Sequence, residues 1–166
     1  DSGHAPHSLS NERVGLIVGT GYSGYGTLLE RAGTKVEGYS AAGMAAAMGP
    51  NRTSYFLNLR GPSEPVDTAC SSSLVALHRA VQLIRSGECT SAVAGGVNTL
   101  ISLDVQNSLA KAGMLSQEGR CKTFSSRADG YVRSEGVGML YLKKLAAAER
   151  DGDSIYAVIK GSAVNH

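Results

Sequence analysis

Two short apolar runs that contain glycine constrain the fold of this sequence more than any other feature. The runs 14–18 and 92–97 are too short for buried helices, and both are predicted to be buried strands. Between them, apolar residues recur at helical spacing over 72–85, and Gly87 is placed to end that helix. Strands that alternate with helices predict an α/β domain with a substantially parallel sheet.

The other elements follow from shorter patterns of the same kind. Helices are predicted over 40–49, 103–112 and 143–150, the first closed by Gly49-Pro50 and the second by Gly113. Strands are predicted over 66–69, 136–142 and 155–159, with a weaker alternation over 55–59. Polar loops are predicted over 1–12 and 116–130. No internal repeat, low-complexity linker or second domain is visible.

The composition narrows the classes of partner. The chain has 166 residues, 42% hydrophobic and 18% charged, which suffices for one globular domain with a real core. The net charge of +2 is dispersed, so neither nucleic acid nor an anionic membrane is an expected partner. No apolar run is long enough for a transmembrane helix, and the first residues lack an apolar signal core. A cytoplasmic location is therefore expected.

The three cysteines are Cys70, Cys89 and Cys121. An odd count without a secretion signal argues against a disulfide framework. None forms a CxxC pair or has zinc-ligand spacing to a histidine, so no metal site is expected. Cys89 and Cys121 are interpreted as small buried hydrophobic residues.

The segment GTGYSG, 19–24, matches the GxGxxG dinucleotide fingerprint and follows a predicted strand. A βαβ nucleotide site spans about 30 residues and places its acidic residue about 20 past the glycines. Here Glu37 lies only 13 residues after Gly24. We therefore interpret these glycines as a loop at a strand end and expect no bound cofactor. A non-catalytic scaffold or a nucleotide-binding module stays open as an alternative function, which a nucleotide bound at this loop would support.

Cys70 lies where a predicted strand becomes a predicted helix, in the run VDTACSSSL. A thiol at a helix N-terminus faces the positive end of the helix dipole, and nearby backbone N–H groups can stabilise a thiolate or an oxyanion. Ala69, Ser71 and Ser72 are small and leave room for a substrate. Alternatively, Ser71 or Ser72 caps the helix and Cys70 belongs to the core. Spacing alone leaves both interpretations open.

A nucleophilic cysteine ordinarily works with a base. His78 lies eight residues on, about 12 Å further along the same predicted helix, so it cannot reach the thiol. His4 and His7 lie in the polar leader, and His166 is the last residue. No histidine of this chain is therefore a convincing base for Cys70.

The run 50–88, PNRTSYFLNLRGPSEPVDTACSSSLVALHRAVQLIRSGE, resembles the active-site region of β-ketoacyl synthases, most closely the ketosynthase domains of modular type I polyketide synthases. Similar runs follow in order: AVAGGVN, GMLSQEGRCKTF, ADGYVRSEGVGMLYLKKL and KGSAVNH. The resemblance implies a thiolase-like fold, a layered α/β structure with a mixed, largely parallel sheet. It further implies a homodimer and partnership with other domains of a megasynthase.

The resemblance also implies a chemistry. Cys70 would accept an acyl chain from the phosphopantetheine thioester of an acyl carrier protein and condense it with a decarboxylated malonyl-type extender. The family uses two histidines that lie well downstream of the cysteine. Residues 1–166 are therefore expected to be a partial ketosynthase domain that lacks the first strand and both histidines. Ala69, beside the nucleophile, is expected to border the acyl chain.

Two positions depart from the family pattern. Ser125 follows Phe124 where Phe-Asp is common, and Ser134 stands where the family commonly has glycine. Both lie in a loop expected to pack near the site. These departures bear on the geometry of that loop and on catalytic competence. Because the region of the two histidines is not part of this sequence, a non-elongating ketosynthase, which only passes the acyl chain on, stays open beside a condensing one.

Overall fold

A computed structural model describes residues 2–165 of the chain, and its centre is a four-stranded sheet. The strands are β1 (Val14–Gly19), β2 (Ser63–Val66), β3 (Ser91–Asn98) and β4 (Gly136–Lys143). Their order in the sheet is β2-β1-β3-β4, and both β2 and β3 run parallel to β1. The predicted strands over 14–18, 92–97 and 136–142 are confirmed.

Six α-helices accompany the sheet among the described residues. They are α1 (Tyr25–Arg31), α2 (Ser40–Met44), α3 (Met48–Phe56), α4 (Ser72–Ser86), α5 (Leu103–Lys111) and α6 (Leu145–Asp151). Two short 3₁₀ turns cover Pro6–Leu9, within the predicted leader loop, and Ala69–Ser71. The predicted helices over 72–85, 103–112 and 143–150 are confirmed. No helix in residues 2–165 is long and apolar enough to cross a membrane.

The core lies on both faces of β1, the most deeply buried strand. Its alternate residues point to opposite faces of the sheet, as strand geometry requires. Ile17 packs in a cluster with residues of α4 and β3, whereas Leu16 and Val18 pack in a second cluster with Leu59. Burial on both faces explains why the sequence of β1 is a continuous apolar run.

The described residues form two compact units, each made from separate stretches of chain. The first unit takes in 2–21, 45–97 and 137–165, and it holds the sheet with α3, α4 and α6. The second takes in 22–44 and 98–136, and it holds α1, α2 and α5. Within the second unit, Arg31 of α1 binds Asp104 of α5 at 2.9 Å.

The helix predicted over 40–49 is confirmed only over Ser40–Met44, and the weak alternation over 55–59 does not correspond to a strand. Helix α2 ends at Met44, and α3 begins at Met48, so Gly49-Pro50 opens a helix rather than closing one. Proline is tolerated in the first turn, where its missing N–H would have no acceptor within the helix. Helix α3 then runs to Phe56 and ends in a turn with Asn58 at φ 53°.

Two predicted strands are also wrong. The strand expected over 66–69 ends at Val66, because the backbone turns into the 3₁₀ segment Ala69–Ser71. The segment 155–159 is no strand, since among residues 2–165 no strand pairs with it. Its alternating side chains satisfy the sequence pattern of a strand, but a strand also needs a neighbouring backbone to bond.

Candidate functional site

Cys70 lies in the short turn between β2 and α4, and its thiol-bearing residue is exposed. Strand β2 ends at Val66, the 3₁₀ turn spans Ala69–Ser71, and α4 begins at Ser72. The predicted position of Cys70, before a helix and after a strand, is therefore confirmed. The alternative that Cys70 is a core residue is wrong.

The turn around Cys70 is held by side chains of its own residues. Ala69 has φ 55°, a left-handed conformation that non-glycine residues adopt uncommonly. Its N–H donates to Asp67 Oδ1 at 3.1 Å. Ser72 Oγ accepts from the Thr68 N–H at 2.9 Å and donates to the Ala69 carbonyl at 2.7 Å. Ser71 Oγ donates to the Thr68 carbonyl at 2.9 Å.

These bonds show how the serines are used. Ser71 occupies the N-cap position of α4, but its hydroxyl makes no capping bond to the first turn of that helix. The hydroxyls of Ser71 and Ser72 instead bond the preceding residues, so the alternative in which one of them caps the helix is wrong. Short polar side chains compete in this way for nearby backbone groups.

Two glycines of the sheet support the start of α4. Gly19 and Gly96 are register partners at the carboxyl ends of β1 and β3. A Cβ on Gly19 would lie 2.7 Å from Ser73 N, and a Cβ on Gly96 would lie 2.9 Å from Ser73 Cβ. The first turn of α4 therefore rests directly on the backbones of two neighbouring strands, at the edge where open α/β sheets place their ligands.

An ion pair joins β2 to α4 on the surface of the same unit. Arg79 Nε and Nη2 each donate to a Glu64 carboxylate oxygen at 3.0 Å. The hydrogen bonds to Glu64 raise the pKa of the Arg79 guanidinium. Because both side chains are partly exposed, the pair contributes little to stability.

The histidines whose contacts the structure describes bind residues other than Cys70. His78 is half-buried on α4, and its Nδ1 lies 2.9 Å from Ser162 Oγ, which confirms a helix-face position. His4 packs its ring on Tyr141, with 4.6 Å between ring centroids, and its Nε2 lies 3.3 Å from Asp153. His7 lies in the first 3₁₀ turn, and His166 falls outside the described residues. No hydrogen bond joins Cys70 to a histidine within residues 2–165.

The two other cysteines differ from each other. Cys89 is 1% exposed, as predicted, and burial raises the pKa of its thiol. Cys121 is exposed, so its predicted burial is wrong. Its sulfur accepts from the Val132 N–H at 3.1 Å in a loop that polar contacts hold, among them Lys122 to Asp129 at 2.9 Å. The polar sequence around Cys121 was the available signal for its exposure.

Packing and backbone conformation explain the first and last glycines of the GTGYSG segment. Gly19 makes room for α4, and Gly24 has φ 81° and closely approaches Ser102. Helix α1 follows, but the next strand along the chain is β2, which begins at Ser63. Glu37 therefore does not end a strand next to β1, as the acidic residue of a dinucleotide site does.

Comparisons with known proteins agree with this geometry. The family model described as "Beta-ketoacyl synthase, N-terminal domain" matches residues 1–148. Polyketide synthase PksN of Bacillus subtilis (strain 168) is 58% identical over the 166 residues, and polyketide synthase ThaG of Burkholderia thailandensis is 51% identical. Each comparison covers 100% of this chain but only 3% of the length of the relative.

Solved structures show the same relationship. The ketosynthase from module 6 of the bacillaene synthase of Bacillus subtilis 168 matches with a TM-score of 0.82 and 40% identity, over 94% of this chain and 26% of that one. The oxazolomycin ketosynthase domain OzmH KS7 of Streptomyces albus JA3453 matches with a TM-score of 0.80 and 44% identity, over 93% and 26%. The thiolase-like, layered α/β fold is thus confirmed.

Proposed function

Because the chain belongs to the β-ketoacyl synthase family, we propose that it carries the acyl-accepting cysteine of a polyketide synthase ketosynthase, and that this cysteine is Cys70. The observation that carries the proposal is the exposed thiol on a side-chain-braced turn at the start of α4. Cys89 is buried, and Cys121 lies in a loop outside the sheet unit. The active-site motif and the exposed thiol coincide only at Cys70.

The first step is acyl transfer. The Cys70 thiolate attacks the carbonyl carbon of an acyl thioester carried on the phosphopantetheine of an acyl carrier protein. The new C–S bond forms first and gives a tetrahedral intermediate, whose collapse breaks the old C–S bond. The phosphopantetheine leaves as a thiolate and takes up a proton equivalent to the one that Cys70 lost on ionising. The backbone N–H of Cys70 is the proposed donor to the oxyanion of the tetrahedral intermediate, because a donor fixed by the turn needs no reorganisation during reaction.

The second step is condensation. A malonyl-type extender on a carrier protein loses carbon dioxide, and its carbanion attacks the Cys70 thioester. The C–C bond forms, the C–S bond breaks, and the thiolate is regenerated with release of a β-ketoacyl product. A non-elongating enzyme would stop after the first step and pass the acyl chain to another thiol. Since no described histidine contacts Cys70, we expect residues 1–166 alone not to condense thioesters.

The proposed partners follow from this chemistry. Acyl carrier protein delivers both substrates, and the other domains of a polyketide megasynthase surround the ketosynthase. No metal or directly bound cofactor is required, because phosphopantetheine belongs to the carrier protein. A cytoplasmic location fits these partners. Relatives such as PksN are far longer than this chain, which is consistent with a multidomain assembly.

We also propose a homodimer. Strand β2 lies at an edge of the sheet and pairs only with β1 among the described residues, so its other side can bond a second strand. Tyr55 and Phe56 near the end of α3 are 88% and 86% exposed, which is unusual for two adjacent aromatic residues in one unit. Two copies related by a two-fold axis would present identical surfaces of this kind to each other.

Product analysis of the full-length protein distinguishes the alternatives. Acyl and malonyl carrier proteins are supplied together, and wild type is compared with Cys70→Ala and with the control Cys121→Ala. A condensing enzyme yields a β-ketoacyl carrier protein, and a non-elongating one moves the acyl chain without that product. Both activities should be lost in Cys70→Ala and retained in Cys121→Ala. Full activity of Cys70→Ala would refute the proposal.

A further inference from the structure

We infer that Ser72 is a positioning residue for Cys70, an inference that rests on the function proposed above. One hydroxyl makes two bonds, accepting from the Thr68 N–H at 2.9 Å and donating to the Ala69 carbonyl at 2.7 Å. Thr68 and Ala69 precede Cys70, and Ser72 follows it. The side chain of Ser72 therefore closes a small ring of chain with Cys70 inside it.

The ring matters because the residue before the nucleophile is strained. Ala69 has φ 55°, where the Cβ of an L-residue crowds the following carbonyl. Such a conformation persists only when its surroundings hold it. Ser72 holds the carbonyl of Ala69, and Asp67 holds its N–H at 3.1 Å. Together they fix the peptide that directs the Cys70 N–H and side chain.

Ser72 is suited to this role because it does not move with the exposed turn. Its residue is only 7% exposed, although Ser71 and Ser73 on either side are exposed. The next residue, Ser73, rests on Gly19 and Gly96 of the sheet. The Ser72 hydroxyl thus links the turn by hydrogen bonds to the start of α4, which packs on the sheet. Removing it leaves the Thr68 N–H without its acceptor, whereas the Ala69 carbonyl keeps a bond from the Ser72 backbone N–H. Relaxation then falls on residues 68–71 rather than on α4.

Two variants of the full-length protein test the role. Ser72→Ala removes both bonds. Ser86→Ala is the matched control, because Ser86 lies at the other end of α4 and its hydroxyl also donates to a backbone carbonyl, that of Leu83 at 3.1 Å. Acylation of Cys70 by acetyl-pantetheine is measured in single turnovers. We expect Ser72→Ala to lower the rate at saturating thioester about 10- to 100-fold, as a misplaced reacting group does, with half-saturation unchanged.

The inference is overturned if Ser72→Ala acylates at the wild-type rate, if Ser86→Ala slows equally, or if the entire loss lies in half-saturation. A further pair guards against misfolding of the single variant. Glycine adopts φ 55° without a Cβ clash, so the turn of the Ala69→Gly variant should depend less on the two hydrogen bonds of the Ser72 hydroxyl. Ser72→Ala is expected to cost a smaller factor in the Ala69→Gly background, and an equal factor would also overturn the inference.

Alkylation separates this inference from the proposed function. Iodoacetamide reports the presentation of the Cys70 thiol and needs no acyl chemistry. If wild type is never acylated at Cys70, the proposed function fails, and the alkylation rates still test Ser72. Slower alkylation of Cys70 in Ser72→Ala than in Ser86→Ala supports the positioning role. Equal alkylation rates would overturn that role and leave the function standing.

Discussion

Gly19 and Gly96 face each other on adjacent parallel strands, and both touch Ser73 at the start of α4. The first turn of α4, which follows Cys70 in the chain, therefore packs on two residues that have no side chains. Because the residues are 77 positions apart in sequence, this packing surface exists only after β1 and β3 have paired. Correct assembly of the sheet and presentation of the thiol are thus coupled.

Gly19→Ala is expected to loosen the start of α4. The added Cβ would lie 2.7 Å from Ser73 N, a backbone atom that has little room to move. Overpacking of this kind costs about 1–3 kcal/mol. Gly21→Ala is the control, because nothing lies within 4 Å of a Cβ there. Hydrogen exchange of the peptides that contain β1 and α4 measures the effect, and equal exchange in the two variants would contradict it.

Thiol labelling should separate the three cysteines. We expect iodoacetamide to modify Cys70 first in the folded protein, because its turn presents the sulfur at a helix N-terminus. Cys121 is exposed and should follow, whereas Cys89 is 1% exposed and should react only on unfolding. Peptide mapping over a time course gives the order. Labelling of Cys89 before Cys70 would contradict the assignment.

Cys89 should make stability depend on pH in the alkaline range. Burial raises the pKa of this thiol above its unfolded value of about 8.5. The folded state favours the neutral thiol. Its contribution to the free energy of unfolding is therefore fully present at pH values below the unfolded pKa. It is lost as pH rises toward the folded pKa, because the unfolded chain ionises first.

The measurement is pulse proteolysis in urea at a series of pH values from neutral upward. Cys89→Ala should lower stability at neutral pH, since it leaves a cavity beside Gly15, and should flatten the alkaline decline. An alkaline decline as steep in Cys89→Ala as in wild type would show that other groups cause it.

Substitutions at Ala69 should distinguish backbone strain in the turn from steric access of the acyl chain to Cys70. Ala69→Gly fits φ 55° and is expected to raise the stability of the turn by up to about 1 kcal/mol. Ala69→Phe adds bulk beside Cys70 and is expected to slow acyl loading, although the left-handed backbone also strains a larger residue. Loading is therefore compared with alkylation by iodoacetamide. A specific loss of loading supports an acyl path along Ala69, and equal losses would indicate a distorted turn.

Local sequence signals correctly predicted the helices and strands whose pattern and end signals lie within their own residues. Helix α4 has a periodic apolar face and a left-handed Gly87 at its end, and β1 is an apolar run buried on both faces. The errors arose where a local pattern allows two outcomes. Pro50 can follow one helix or open the next, and the run 155–159 can be a strand only beside another strand.

The sequence predicted where the site lies, but not the backbone conformation and hydrogen bonds that form it. The sequence around Cys70 indicated a strand-to-helix junction and a small-residue environment, and both are present. Nothing in it indicated that Ala69 is left-handed, since alanine has no local preference for that region. The bonds that Asp67 and Ser72 make to the N–H and the carbonyl of Ala69 form only once the turn is folded.

The most direct test of the account is to map an acyl group on the protein. Full-length wild type and Cys70→Ser are incubated with an isotopically labelled acyl carrier protein thioester, digested and sequenced by mass spectrometry. We predict a label on Cys70 that hydroxylamine releases, as expected of a thioester, and no such label in Cys70→Ser. A hydroxylamine-labile label on Cys121 or Cys89, or none on any cysteine, would contradict the claim that Cys70 accepts the acyl chain.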